Sequence, residues 1–184
     1  MPEFFNVLPP GDALQLLWKH LNPHVQTERI ATKDALGRIT AESIFSPEDL
    51  PTFPRSSMDG FSLRSRDTFG ATEGVPAYFD VVGEVSMGQP AKIHLSTGEA
   101  AIAYTGGALA HEADAVVMME HTQRVDDTTI EVVRPTAPGE NVVQVGEDIR
   151  CGDLVLPAGH ILQPQDLGGL LSLGVTKVAV ARQL

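Results

Sequence analysis

The sequence predicts a mainly β protein with a few short helices, divided into two domains. The 17 glycines and 13 prolines among its 184 residues favour many turns over long helices. Between residues 39 and 149, short segments rich in β-branched residues recur between turn signals, a pattern typical of a mostly antiparallel β domain. Helical periodicity is found before and after that stretch. These observations predict a β-rich insertion within a second, mixed domain.

The first helix is expected at residues 12–21, where four apolar residues recur at positions i, i+3, i+4 and i+7. The four are Leu14, Leu17, Trp18 and Leu21. Asp12 is the expected N-cap, and Pro23 prevents the helix from continuing. A short helical turn is expected at residues 32–36, with Gly37 as its C-cap.

The strands expected in the β domain are residues 78–85, 92–95, 101–105, 115–120 and 129–134, and residues 64–76 are expected to form a loop. After the β domain, the pattern predicts strands at 153–156 and 175–180. Between them we expect a helix at 165–173 with Leu167, Leu170 and Leu171 facing inward. The predicted division is a discontinuous domain of residues 1–45 plus 146–184, carrying an inserted β-rich domain of residues 46–145.

Composition argues against several classes of function. The net charge is −11 and the 13 basic residues do not cluster, so the electrostatic attraction that supports nucleic-acid binding is missing. No apolar run approaches the roughly 18–20 residues that a membrane helix needs. The first residues lack a signal-peptide pattern, and Cys151 is the single cysteine. We therefore expect a cytoplasmic protein without nucleic-acid or membrane partners.

The first cluster of special residues runs from Pro51 to Phe61. Pro51 and Pro54 lie within four residues and impose an extended path on the chain. Asp59-Gly60 is a dipeptide that strongly favours a turn. A carboxylate on a stiff turn has a fixed direction, so Asp59 could bind a metal ion or accept a proton. The alternative is a turn in which Asp59 accepts hydrogen bonds from its own backbone.

The second cluster, Thr105-Gly106-Gly107, directly follows a predicted strand. Two glycines at this place let backbone amides approach an anion, and Thr105 adds a hydroxyl. The Gly-Lys-Ser/Thr ending of a phosphate-binding P-loop is missing. The alternative is an ordinary tight turn.

The third cluster contains the adjacent carboxylates Glu147 and Asp148, between Gly146 and Ile149. Such a pair could hold a divalent ion or could be a solvated acidic turn. The six histidines show no ligand spacing typical of a structural zinc site, and Cys151 has no activating neighbour beyond Arg150.

The order of these clusters resembles that of the molybdopterin molybdotransferases, also called MoeA, whose animal counterpart is the gephyrin E domain. RSSMDGFSLRSRD resembles their S-x-M-D-G-[YF]-A-[VL]-R motif, and YTGGALAHEADAVVMMEHT resembles their T-G-[AG]-x-L-P-x-G-A-D-A-V-V segment. The stretch beginning GENVVQVGEDIRCGD resembles their G-E-N-[VI]-R-x-x-G-E-D-I segment, and the likeness continues to the C-terminus. Together these motifs cover nearly the whole chain.

This resemblance implies the complex, bifurcated β-sheet fold of the molybdotransferase N-terminal region, in an elongated homodimer. The two copies would be joined through the discontinuous domain of residues 1–45 plus 146–184, which corresponds to the family's linker domain. The chain reads as cut after Leu184, so the pterin-binding α/β domain that follows in the family is expected to be absent. The implied enzyme inserts molybdenum from molybdate into adenylylated molybdopterin with Mg²⁺, downstream of a molybdopterin adenylyltransferase. The fragment alone is then expected to be inactive. The alternative is a non-catalytic dimerising or scaffold module.

The resemblance also implies roles for individual residues. Asp59, Thr105 and Asp148 match catalytic positions of the family, and the two carboxylates would also bind the metal ion. The residues expected beside the cofactor are Ser57, Gly60, Gly106 and Gly107.

Several positions depart from the family pattern. Ile102 and Ala103 stand where members often carry Arg, and Val143 replaces the Arg of N-[VI]-R. Ala110 and Glu112 replace a Pro and a Gly. Because guanidinium groups suit oxyanions, these losses predict weaker anion binding unless a nearby arginine compensates. The candidates for compensation are Arg55 and Arg64.

Overall fold

The computed structural model of the protein describes residues 7–21 and 25–183. Within them the chain forms two α-helices, Pro10–His20 (α1) and Pro164–Ser172 (α2), and many short strands. The predicted mainly β class with short helices is confirmed. No helix in the described ranges is both long and apolar enough to cross a membrane.

The described strands are β1 (Thr27–Ala31), β2 (Ile44–Phe45), β3 (Arg55–Ser56), β4 (Gly60–Leu63), β5 (Ala77–Glu84), β6 (Glu99–Ala103), β7 (Ala115–Met118), β8 (Thr122–Arg124), β9 (Thr129–Val132), β10 (Val142–Val143), β11 (Leu154–Leu156) and β12 (Lys177–Ala181). Short 3-10 helices occupy Thr32–Asp34, Ser65–Thr68 and Met119–His121.

The chain divides into two compact units. The first falls within Met1–Ile44 and Val155–Leu184, and the second is Phe45–Leu154. The predicted insertion, residues 46–145, lies inside the second unit, which also contains residues 146–154. Every residue that the sequence marked for chemistry therefore belongs to the second unit.

The core of the first unit is built on the antiparallel pair β1–β12. Alternate side chains of β12 point inward, so Val178 and Val180 are buried while Lys177 is exposed. Leu170 of α2 packs in the same apolar cluster. The Thr32 hydroxyl donates to the carbonyl oxygen of Val175 at 2.6 Å, which satisfies a buried polar group.

The second unit is built on a six-stranded sheet with the order β7-β4-β6-β5-β9-β8. All its pairings are antiparallel except that between β5 and β6. The central strand β4 is buried along its whole length because it lies between two neighbours. The main apolar core contains Phe61, Leu63, Phe79, Ala100, Val117, Ile130 and Val132.

The first helix begins earlier than predicted, and its apolar side chains are exposed. It begins at Pro10 with Pro9 as N-cap, so Asp12 lies in the first turn and is not the cap. A proline at the first helical position needs no partner for its missing N–H, which explains the earlier start. The apolar stripe is present, but no residue of α1 is buried and Trp18 is 60% exposed. Pro23 lies outside the described residues.

Three further expectations were wrong. Residues 92–95 form no strand and make one parallel bridge, His94 to His111, because the facing residues around His111 are not part of a strand either. The predicted loop at 64–76 begins with the 3-10 helix Ser65–Thr68. Leu171 is 45% exposed, because α2 turns its narrow apolar stripe inward through Leu170.

Candidate functional site

The three sequence clusters meet at the two-residue strand β3. On one side, Gly106 donates its amide to the carbonyl of Ser56 at 2.7 Å, and Ser56 donates its amide to Gly107 at 2.9 Å. On the other side, β3 pairs with β10, opposing Arg55 to Val143. The sheet register thus places the second and third clusters beside the first, although up to 93 residues separate the side chains that come into contact.

Asp59 is held by Thr105. The amide of Thr105 donates to Asp59 Oδ1 at 2.8 Å, and the Thr105 hydroxyl donates to the same oxygen at 2.9 Å. The backbone hydrogen bond, and then the hydroxyl, lower the pKa of Asp59 from its ordinary value of 3.8. Within the described part of the chain, Oδ2 has no hydrogen-bond partner. The carboxylate is therefore ionised at neutral pH, fixed in direction, and open at one oxygen.

The Thr-Gly-Gly turn does not offer free amides, contrary to the expectation from sequence. The Thr105 amide is used by Asp59, the Gly106 amide by Ser56, and the Gly107 amide by the carbonyl of Tyr104 at 2.8 Å. An anion would have to displace one of these bonds to reach a donor here. The turn therefore positions Asp59, and the Thr105 hydroxyl donates its proton to that carboxylate.

Close packing explains the glycine at position 60, and backbone conformation explains that at position 106. A Cβ atom on Gly60 would lie 2.0 Å from the carbonyl oxygen of Val117, because β4 and β7 approach closely there. Gly106 has a φ of +81°, a left-handed conformation that glycine adopts without strain. Gly107 is buried, and Ser57 donates its amide to Asn141 at 3.0 Å. Contact of these four residues with a cofactor is a prediction from the resemblance.

Asp148 forms an ion pair with Arg55. The distance between Arg55 Nη2 and Asp148 Oδ2 is 3.1 Å, and the two side chains are 38% and 59% exposed. The amide of Asp148 donates to Leu50 at 2.9 Å, which fixes the turn that carries it. Within the described residues, Arg55 Nη1 and Nε and Asp148 Oδ1 have no hydrogen-bond partner. The pair therefore presents free donors and a free acceptor together.

Of the two arginines expected to compensate for the missing family arginines, Arg55 is the better placed to bind an anion. Arg64 donates to both carboxylate oxygens of Asp67 at 2.9 and 3.0 Å, and its side chain is mostly buried. Its guanidinium is thus committed to a structural pair. Arg55 lies directly opposite Val143, the position at which the family motif carries its arginine.

Sequence reasoning missed Tyr104 and Glu84. The Tyr104 hydroxyl donates to Glu84 Oε2 at 2.9 Å, and this bond to a carboxylate raises the pKa of Tyr104. Asp59 contributes to the same rise through its charge, so the tyrosine lies close to the Asp59–Thr105 pair. Glu84 ends β5 and is 20 residues from Tyr104, a separation that no local motif could indicate.

The described residues contain no group of three or more His, Cys, Asp or Glu side chains arranged to hold a metal ion. No hydrogen bond or ion pair links Asp59 to Asp148 in the described structure, so each carboxylate stands in its own pair. Protein sites for Mg²⁺ commonly use one or two carboxylates and take the remaining ligands from water and substrate phosphates. The donor set fits that limited role and does not fit a metal cage made by the protein alone.

Glu112, which stands where the family carries Gly, has a φ of +68°. This conformation suits glycine and is uncommon for a long side chain. Its carboxylate accepts from His94 Nδ1 at 3.1 Å and from the Leu95 amide at 3.2 Å, which lowers the Glu112 pKa, first through the His94 bond. Glu112 therefore contacts His94 and Leu95 locally, and within the described residues it forms no hydrogen bond with Thr105 or Asp59.

Comparisons with known proteins identify the family to which the chain belongs. The sequence profile of the MoeA N-terminal region (domain I and II) matches residues 8–174. A crystal structure of a molybdopterin biosynthesis MoeA protein from Pyrococcus horikoshii superimposes with a TM-score of 0.92 at 36% identity, over 97% of this chain and 45% of that one. A Haemophilus influenzae molybdopterin molybdenumtransferase is 35% identical over 159 residues, which are 86% of this chain and 38% of the enzyme.

A molybdopterin biosynthesis protein of Methanocaldococcus jannaschii is 36% identical over 181 residues, 95% of this chain and 43% of that protein. The chain thus spans less than half the length of the relatives it matches. Family profile, sequence identity and structural superposition all cover the same region. The chain belongs to the MoeA family and corresponds to its N-terminal region, domains I and II.

Proposed function

We propose that this chain supplies one side of an active site that inserts molybdenum from molybdate into adenylylated molybdopterin. The observation that carries the proposal is the Asp59–Thr105 pair, a carboxylate fixed at one oxygen and free at the other. Family membership supports it, since relatives such as the Haemophilus influenzae protein are named molybdopterin molybdenumtransferases. The chain alone is proposed to be inactive, because the relatives are more than twice as long.

Asp59 acts in this proposal as a charged ligand and not as a general acid, because its lowered pKa keeps it ionised near neutral pH. Its free Oδ2 and the free Oδ1 of Asp148 are the atoms that would hold Mg²⁺. When bound, that ion offsets the repulsion between these carboxylates and phosphate oxygens. Thr105 is a positioning residue, since its two donors set the direction of Asp59.

Arg55 supplies the positive charge at the proposed site. Only one of its nitrogens is engaged by Asp148, so the others can donate to an oxyanion such as molybdate or the adenylyl phosphate. The ion pair also holds the guanidinium in place before the anion arrives. This arrangement supports anion binding despite Val143 and Ile102, which stand at positions where the family often carries arginine.

The proposal includes a homodimer of this chain. The exposed stripe of Leu14, Leu17 and Trp18 on α1, continued by Leu21 at its C-cap, supports the contact of the first unit with a second copy. Sedimentation of the chain at micromolar concentration should give a dimer, and Trp18→Glu should shift it to monomer while Gln15→Glu should not. A monomeric wild-type chain would contradict this contact.

The proposal also implies a partner reaction in the pathway. Adenylylated molybdopterin must come from an adenylyl-transfer reaction.

The experiment that tests the function is reconstitution of molybdenum cofactor by a polypeptide of the relatives' length that contains these residues. Molybdate, Mg²⁺ and adenylylated molybdopterin are supplied, and molybdenum bound to pterin is measured. Incorporation above the protein-free background is expected. A folded, dimeric polypeptide with no incorporation would contradict the enzyme and favour the second candidate, a non-catalytic dimerising or scaffold module, which the exposed α1 stripe also supports.

A further inference from the structure

A cleft of about 640 Å³ lies within the second unit. Three segments line it: Phe53 with Pro54, residues 88–91, and residues 106–113. The volume falls in the range of roughly 300–1,000 Å³ that is typical of small-molecule sites. None of the roles assigned above to Asp59, Thr105, Asp148 or Arg55 uses it.

The wall of the cleft is apolar and built from small residues. Its apolar members are Phe53, Pro54, Pro90, Ala91, Ala108, Leu109, Ala110 and Ala113. None of the described residues that line it is Lys or Arg, so an anion would find neither of these positively charged side chains inside. Phe53 is 47% exposed and offers an aromatic face. Such a wall favours a flat, uncharged ring whose two faces are apolar.

One edge of the cleft carries a fixed acceptor. Both oxygens of Glu112 receive hydrogen bonds, from His94 Nδ1 and from the Leu95 amide, and the His111 ring stacks on His94 with centroids 4.3 Å apart. Each carboxylate oxygen has a further lone pair for another donor. The amino and ring N–H groups of a nitrogen heterocycle are donors of the required kind.

Two walls of the cleft continue directly into residues of the proposed site. Pro54 is followed by Arg55, and Gly106 is preceded by Thr105, the residue that holds Asp59. A ring in the cleft would therefore place an anionic group attached to it within reach of the charged pairs. From this continuity we infer that the cleft binds the flat nitrogen-heteroaromatic ring of the substrate. The inference rests on the proposed function for its choice of substrate.

Two parts of adenylylated molybdopterin share this chemistry, the adenine and the pterin. Uncharged probes separate them: adenosine for the first, 6-hydroxymethylpterin for the second. Each is titrated into the ¹⁵N-labelled chain, and amide shifts are followed by NMR. Saturable amide shifts of Gly88, Gln89, Ala91 and residues 106–113 are expected with either probe. The probe that binds more tightly identifies the ring. No saturable shift with either probe up to its solubility would overturn the inference, as would shifts confined to other residues.

A matched pair of variants tests the wall. Phe53→Ala removes its aromatic face and should weaken probe binding about fivefold, whereas Phe69→Ala removes an exposed aromatic outside the cleft and should leave binding unchanged. Equal affinities in both variants would contradict the cleft assignment. Molybdenum insertion without ring binding would overturn this inference alone. Ring binding by a polypeptide that inserts no molybdenum would overturn the proposed function alone.

Discussion

Thr105 donates two hydrogen bonds to the same oxygen of Asp59, at 2.8 Å from its amide and 2.9 Å from its hydroxyl. The two residues are 46 positions apart in the chain, and strands β4 and β6 bring them together. A carboxylate that is fixed at one oxygen loses little freedom when the other oxygen binds a ligand. The free oxygen of Asp59 is thus fixed in direction for the Mg²⁺ ion that we propose it binds.

Substitution Thr105→Val tests this relationship by removing the hydroxyl and keeping the amide. The pKa of Asp59 should rise in the variant but stay below 3.8, since the backbone bond is the larger cause of its depression. Side-chain carboxyl NMR during a pH titration measures it. An unchanged Asp59 pKa would mean that the hydroxyl does not hold the carboxylate.

The lowered pKa of Asp59 predicts that the free energy of unfolding changes with pH. Because the folded-state pKa of Asp59 is depressed, its contribution to the free energy of unfolding is fully present above the unfolded-state value of about 3.9. That contribution is lost as the pH falls through the lower folded-state pKa. The wild type should therefore lose its stability advantage over Asp59→Asn below about pH 3.9, as measured by urea unfolding. A constant difference from pH 7 to pH 2.5 would contradict this.

The Arg55–Asp148 pair should matter more for anion binding than for stability. Both side chains are more than one third exposed, so a double-mutant cycle with Arg55→Met and Asp148→Asn should give a coupling of only about 0.5 kcal/mol. The substitution Arg55→Lys keeps the charge but loses the planar fork, and it should raise the molybdate concentration needed for half-maximal insertion. A coupling above about 2 kcal/mol would identify a mainly structural pair instead.

Gly60 should tolerate no side chain. A Cβ there would lie 2.0 Å from the Val117 carbonyl oxygen, so Gly60→Ala must separate β4 from β7 and should cost about 3 kcal/mol or more. Gly74→Ala is the matched control, because its Cβ would meet no atom within 4 Å and its φ is not positive. Urea unfolding compares them. Equal stability of the two variants would show that the close approach is absent in solution.

Glu112 offers a similar comparison. Glu112→Ala loses the acceptor for His94 and Leu95 and keeps a side chain at a φ of +68°, whereas Glu112→Gly loses the acceptor but relieves the conformation. The Ala variant should therefore unfold at a lower temperature than the Gly variant. An Ala variant as stable as the Gly variant would indicate that the left-handed backbone is not maintained.

The sequence predicted the parts of this structure that depend on local pattern. Turn residues and β-branched segments indicated the strands near β5, β6, β7 and β9, and α2 was found within one residue. A local pattern cannot show which distant strands pair or in what register. For this reason the hydrogen bond between Tyr104 and Glu84 was missed, and the amides of residues 105–107 were wrongly expected to be free. Periodicity indicated an apolar face on α1 but could not reveal that this face is exposed.

The most direct test of the central claim compares two carboxylates in molybdenum insertion. Asp126, like Asp59, is exposed, has a lowered pKa and accepts hydrogen bonds from threonine amide and hydroxyl groups. Its partners are the amide and hydroxyl of Thr128 and the amide of Thr129, and it lies in the turn before β9. In the polypeptide of the relatives' length, Asp59→Asn should lower the insertion rate ~100-fold, a loss of roughly 2.7 kcal/mol in transition-state stabilisation, while Asp126→Asn stays within about twofold of wild type. Equal rates for the two variants would contradict the claim that Asp59 belongs to the active site.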